Sequence, residues 1–169
     1  MKISPPGNGQ ATSTAGSSQF SILFVCTGNT CRSPMAEALA RHAAEERKLD
    51  GLQIASAGVA ALDGEPASPN AQRAMESRGL SLKAHRARRL TPEIAREAGL
   101  ILTMTETHAR AVGQIAPEAK VFTLRGYLGE AGDVADPWGG SEAVYEACAC
   151  ELEGLVKRVL EKFAEDVQS

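Results

Sequence analysis

Short apolar runs alternate with amphipathic stretches from residue 20 onward, and their periods predict the elements. Ile22-Leu23-Phe24-Val25 is β-branched and aromatic, the make-up of a buried parallel strand, whereas Met35, Leu39 and Ala43 begin a helical stripe. Leu52-Gln53-Ile54-Ala55 reads as a second strand ending at Ser56-Ala57-Gly58, and Ser68 to Arg78 as a helix closed by Gly79. Thr91-Pro92-Glu93 opens another helix, Leu100 to Met104 is a third strand, Thr105 to Ile115 is helical, and Val121 to Leu124 is a fourth strand. A Gly-rich stretch from Gly126 to Gly140 precedes a long final helix with Val144, Cys148, Leu152, Leu155, Val159 and Phe163 at helical steps. Strands alternating with helices imply right-handed crossovers. The expected fold is therefore a single three-layer α/β domain, with a four-stranded parallel sheet and helices on both faces. Such sheets form their sites outside the carboxyl ends of the strands. That rule lines up Cys26, the Ser56-Ala57-Gly58 turn, Met104-Thr105 and the Gly126 to Gly140 loop along one edge, the loop acting as a lid.

The residues between the first strand and the first helix carry the chemistry. They read Cys26-Thr27-Gly28-Asn29-Thr30-Cys31-Arg32-Ser33. Ser33 suits an N-cap and Pro34 a first helical residue, so the loop ends on the positive pole of a helix. Gly28 permits a sharp turn, and the N–H groups of Thr27 through Ser33 can converge on a phosphate-sized anion. Arg32 can curl back to offer a planar fork to two phosphate oxygens, with Cys26 beneath the phosphorus. The cation, the helix pole and the Ser33 hydroxyl favour a thiolate, with an expected pKa of roughly 3.5–7.5. A nucleophile attacking phosphorus needs a proton donor opposite it. Asp136 is the candidate, because its Gly-rich loop can reach the cradle and Pro137 stiffens its backbone. Asp133 reads as a solvated loop residue. Trp138 is either a wall of the substrate entrance or a packing anchor.

Composition narrows the class. A formal charge of -3 argues against a nucleic-acid or anionic-membrane surface, although Lys83 to Arg89 forms a modest basic patch. Residues 1–19 are rich in Gly, Ser, Thr, Pro and Ala and read as a disordered tail, leaving 20–169 as the folded domain. The tail lacks the apolar stretch of a signal peptide, and no segment is long enough to cross a bilayer, so a cytoplasmic protein is expected. Four cysteines, two of them in the loop, suit a reducing compartment. His42, His85 and His108 show no ligand spacing, so neither a metal nor another cofactor is expected; each reads as solvated or locally hydrogen-bonded.

The run from Cys26 through Pro34-Met35-Ala36-Glu37 closely resembles the signature of the low-molecular-weight protein tyrosine phosphatase family. It is most similar to that family's protein-arginine-phosphatase branch, which has Thr, here Thr30, where the tyrosine branch usually has Ile. The resemblance extends from about Ser21 to Phe163 and implies a flavodoxin-like phosphatase fold. It implies a phosphocysteine intermediate on Cys26, with Asp136, in an Asp-Pro-aromatic-Gly-Gly segment, as general acid. It also implies that Asn29 braces the loop with Ser56 as partner, where the bland alternatives are a turn residue and a strand end. His85 lies in a matching segment of undefined role.

Substrate choice is read from what surrounds the cradle. Thr30 offers a hydroxyl to a guanidinium and little packing to a phenyl ring, Met104-Thr105 departs from the Met-Asp usual in the tyrosine branch, and Val121 to Leu124 resembles the arginine branch. The expectation is phosphoarginine in proteins, opposing a protein arginine kinase, with phosphotyrosine as the alternative and a monomer as the working unit. A thioredoxin-coupled arsenate reductase needs a resolving cysteine pair in mid-chain. None occurs between Arg32 and Ala147; Cys148 falls on the apolar stripe of the last helix and Cys150 off it. A noncatalytic phosphoprotein-binding module would lack the thiol or the acid. Cys31 is either a redox partner for Cys26 or a small residue fitted to a tight loop.

Overall fold

The computed structural model describes residues 20–168, so the expected tail at 1–19 lies outside the described residues. The elements in chain order are β1 (Ser21–Cys26), α1 (Arg32–Glu46), β2 (Gln53–Gly58), α2 (Pro69–Glu76), α3 (Pro92–Glu97), β3 (Leu100–Thr103), α4 (Glu106–Ile115), β4 (Val121–Thr123), α5 (Leu124–Tyr127) and α6 (Glu142–Gln168). The four strands form one parallel sheet in the order β2-β1-β3-β4. Successive side chains of β1 enter opposite cores, as strand pleating requires. Ile22 and Phe24 join Met35, Leu39, Met75 and Leu152 on one face; Leu23 and Val25 join Ala57, Ile101 and Val112 on the other. Burying one large apolar side chain contributes about 1.5–3 kcal/mol, so β1, buried from Ile22 to Cys26, is firmly anchored. It delivers the cysteine. The chain leaves β1 for β2 on one side and later returns to β3 on the other, which makes the carboxyl end of β1 the topological switch point.

Several local expectations change. The first helix begins at Arg32, two residues early, with Cys31 at its N-cap and no side-chain capping bond. Ser33 is therefore not the cap; its hydroxyl is turned into the loop. β2 runs on through Ser56-Ala57-Gly58, because these residues pair with Phe24, Val25 and Cys26. The helix that starts after Ser68 ends at Glu76, and Gly79 lies beyond it at φ +77 where Leu80 N–H closes on Met75 O at 2.9 Å. The fourth strand stops at Thr123, whose hydroxyl accepts from Gly126 N at 2.8 Å and starts α5. On the last helix Val144 is 47% exposed and the buried stripe begins at Tyr145.

Candidate active site

The loop after β1 is held by its carbonyl groups. Cys26 O accepts from Val59 N at 3.0 Å, Thr27 O from Ala60 N at 2.9 Å, Thr30 O from Ser68 N at 3.0 Å and Cys31 O from Met35 N at 3.2 Å. Asn29 O is bonded to His85 Nε2 at 2.8 Å. With these acceptors engaged outward, the N–H side of the loop is left to the pocket. Gly58 permits the close approach, since a Cβ there would stand 2.5 Å from Thr27 O and 2.9 Å from Asn29 N.

Asn29 is fully buried at φ 58, a left-handed conformation that asparagine tolerates better than most residues. Its amide donates to Ser33 Oγ at 2.8 Å and to Ser56 Oγ at 2.9 Å, and its Oδ1 accepts from Arg88 N at 2.9 Å. Ser56 in turn donates to Glu37 Oε1 at 2.5 Å, while Arg88 Nε donates to Ser56 O at 3.0 Å. Asn29, Ser33 and Ser56 thus stand behind the loop, and neither Asn29 nor Ser33 lines the pocket. The bracing roles expected of Asn29 and Ser56 concern these side chains, whereas the anion site expected along Thr27 to Ser33 concerns backbone N–H groups.

The pocket in front is lined by Cys26, Thr27, Gly28, Thr30, Cys31, Arg32, Asp136 and Trp138 and measures about 250 Å³. Ligand pockets for whole small molecules run from about 300 Å³ upward; this one suits a protruding group. Cys26 Sγ receives Asn29 N–H at 3.3 Å and lies 2.8 Å from Ser33 Oγ. Burial pushes its thiol up, while Ser33, Asn29 and the Arg32 charge pull it down, and burial is the larger effect. The depressed thiol expected from the sequence is thus corrected: the depth at which β1 sets Cys26 opposes its ionisation.

Arg32 is 4% exposed. It donates through Nη1 to Val134 O at 2.8 Å, which orients the guanidinium, and its Nη2 is 3.5 Å from Asp136 Oδ2. Nε is buried and has no partner among the described residues. The Nε and Nη2 edge is the part of the fork available to two anion oxygens. Asp136, half exposed, accepts Trp138 N–H at 3.1 Å, a turn that fixes the carboxylate. The loop carrying it is pinned by Val134 N to Met104 O at 2.9 Å and by Glu106 N to Asp133 Oδ1 at 3.0 Å. Asp133 therefore does more than face solvent: it caps α4. Trp138 is 74% exposed at the mouth, so it is no packing anchor.

Cys31 is buried, with its sulfur 3.2 Å from Tyr145 Oη and 3.4 Å from Ser68 Oγ. Cys148 is buried on α6 and Cys150 exposed, as the stripe implied. Among the described residues no group of His, Cys, Asp and Glu is placed to hold a metal ion. Sequence reasoning missed His108, Glu37, Arg88 and Tyr145. His108 is 5% exposed and meets Thr27 Oγ1 at 2.8 Å across 81 residues, which contradicts a solvated or local histidine. Burial, then the Arg32 charge, lowers its pKa to about 4, against an opposing pull from Asp133 and Asp136. No spacing along the chain signals that contact.

A family model described as low molecular weight phosphotyrosine protein phosphatase matches residues 21–169. The chain is similar to a protein-arginine-phosphatase of Geobacillus stearothermophilus, 44% identical over 146 residues covering 85% of this chain and 95% of the relative. It is also similar to the low molecular weight protein-tyrosine-phosphatase Etp of Escherichia coli strain K12, 39% identical over 145 residues, 85% of this chain and 92% of the relative. Among solved structures it resembles the YwlE arginine phosphatase in a cysteine-to-serine mutant with a phosphorylated active-site serine. The TM-score is 0.83 at 40% identity, over 86% of this chain and 97% of that one.

Proposed function

Since the chain belongs to the low-molecular-weight phosphotyrosine protein phosphatase family, we propose that it hydrolyses phosphoarginine on proteins, with Cys26 as nucleophile, Arg32 as phosphoryl clamp and Asp136 as acid and base. The observation that carries this reading is one pocket shared by Cys26, Arg32, Asp136 and Thr30. In the first step the Cys26 thiol gives its proton to an oxygen of the bound phosphoryl dianion, the sulfur forms a bond to phosphorus, the phosphorus–nitrogen bond breaks, and Asp136 gives its own proton to the departing guanidine nitrogen. Arg32 and the loop amides hold charge on the equatorial oxygens. In the second step Asp136 takes a proton from water, the water oxygen bonds to phosphorus, and the sulfur leaves, releasing phosphate. The fork and the amides supply the positive field without a metal.

Thr30 places a small polar group on the wall, and Asp136 a carboxylate beside the leaving nitrogen; both suit a guanidinium. The exposed Trp138 favours the second reading, phosphotyrosine, since an aryl ring can stack there. The arsenate reductase reading needs a resolving pair of cysteines in mid-chain, which the sequence lacks between Arg32 and Ala147, and burial pushes the Cys148 thiol up to about 12. Residues 20–169 serve as the catalytic unit, acting as a monomer in the cytoplasm on phosphorylated proteins and opposing a protein arginine kinase. Among the described residues no helix is long and apolar enough to cross a membrane. Side-by-side kcat/KM values on phosphoarginine and phosphotyrosine peptides test the substrate; a preference for phosphotyrosine overturns the first reading. Asp136→Asn should lower kcat by about 10²–10⁴ on a poorly activated leaving group, and an unchanged kcat removes Asp136 from the acid role.

A further inference from the structure

His108 sits in the first turn of α4, behind the wall of the phosphate pocket. It is 5% exposed, its Nε2 lies 2.8 Å from Thr27 Oγ1, and its Nδ1 is buried with no partner among the described residues. Thr27 is the residue after the cysteine. It is exposed and lines the pocket. The ring has two neutral arrangements. If Nδ1 carried the proton, a buried N–H would be left without an acceptor and the Thr27 hydroxyl would be used up donating backward to Nε2. If Nε2 carries it, the unpaired atom is a bare acceptor, the less costly of the two defects. The Thr27 oxygen then accepts from the ring, and its own proton is free to point forward. The ring's N-terminal anchor is firm, since His108 N donates to the Thr105 hydroxyl at 3.1 Å as part of the α4 cap. The charges acting on it are Arg32, Asp133 and Asp136, and burial keeps it neutral near pH 7.

We infer that His108 is a positioning residue that, by donating through Nε2 to the Thr27 oxygen, aims the Thr27 hydroxyl into the pocket as a side-chain donor to a bound phosphoryl oxygen. The inference rests on the phosphatase reading above. It adds to the loop amides and Arg32 a donor that the local sequence does not specify.

The test uses inorganic phosphate as a competitive inhibitor of the full chain. Thr27→Val should weaken inhibition by about tenfold or more, the effect of losing one hydrogen bond to a charged group, and Thr27→Ser should retain it. His108→Phe should weaken it comparably, His108→Gln should recover part of the loss, and the Thr27→Val/His108→Phe double variant should be no worse than either alone. Full phosphate affinity in Thr27→Val removes the hydroxyl donor; additive losses in the double variant remove the coupling. Nitrogen-15 NMR of the unaltered protein reads the tautomer without any substitution: a proton on Nε2 at neutral pH is expected, and one on Nδ1 overturns the inference. If the unaltered protein does not bind phosphate, the proposed function fails and this inference fails with it; binding that is indifferent to Thr27 defeats the inference alone.

Discussion

Asn29→Ala tests the brace behind the phosphate loop. The substitution removes the amide donated to Ser33 and Ser56 and the Oδ1 that accepts Arg88 N–H. Ser33 keeps Cys26 and Ser56 keeps Glu37 as partners, so those two losses are ordinary, about 1 kcal/mol each. Arg88 N–H is left without its acceptor, about 1–3 kcal/mol more. Alanine must also hold φ near 58, which costs an L-residue without a polar side chain about 1 kcal/mol. The total, about 4–6 kcal/mol, is a large share of the 5–15 kcal/mol typical of a domain, so the variant should fold but unfold at much lower denaturant. Asn29→Gly makes the same hydrogen-bond losses and escapes the strain, so it should be about 1 kcal/mol more stable than the alanine variant. Urea unfolding followed by far-ultraviolet circular dichroism gives both numbers, and kcat/KM should fall in both because Cys26 loses the Ser33 and Asn29 geometry. A destabilisation below about 1 kcal/mol for Asn29→Ala, or an alanine variant as stable as the glycine one, would refute the argument.

Thr30→Ile should lower phosphoarginine hydrolysis and raise phosphotyrosine hydrolysis, shifting the kcat/KM ratio by about ten- to two-hundredfold; an untouched ratio removes Thr30 from substrate selection. His108 has a folded pKa of about 4 against about 6.5 unfolded, so the unfolded chain binds the extra proton in that window. The stability this group contributes is therefore complete above pH 6.5 and is lost as pH falls toward 4, by roughly 2–3 kcal/mol, a slope that His108→Phe should abolish in urea titrations. Peroxide should oxidise Cys26 to a sulfenic acid with loss of hydroxide, and Cys31 should then displace water to form a disulfide that dithiol reverses. Because Cys31 must leave Tyr145 and Ser68 to do so, Tyr145→Phe should speed disulfide formation; mass spectra of oxidised protein without a Cys26–Cys31 link leave Cys31 as a packing residue.

The alternation of apolar runs and amphipathic stretches determined the layers, and the octad from Cys26 to Ser33 determined the candidate chemistry, because both are local. A strand, a loop and a helix start within a dozen residues specify one another through periodicity, proline and glycine. Thr105 and Ser68 were legible as helix starts for the same reason, and each hydroxyl caps its helix. The direction of a side chain inside the loop was not. Asn29 is left-handed and Ser33 faces the sulfur from inside the helix instead of capping it, and periodicity carries no information about a single dihedral. The burial that raises the Cys26 thiol depends on layers closing over the central strand. Glu37, Arg88, Tyr145 and His108 reach the loop only once the order β2-β1-β3-β4 and the packing of α6 set distant segments side by side. Those contacts are between residues tens of positions apart, which hydrophobic patterning constrains only through the whole fold.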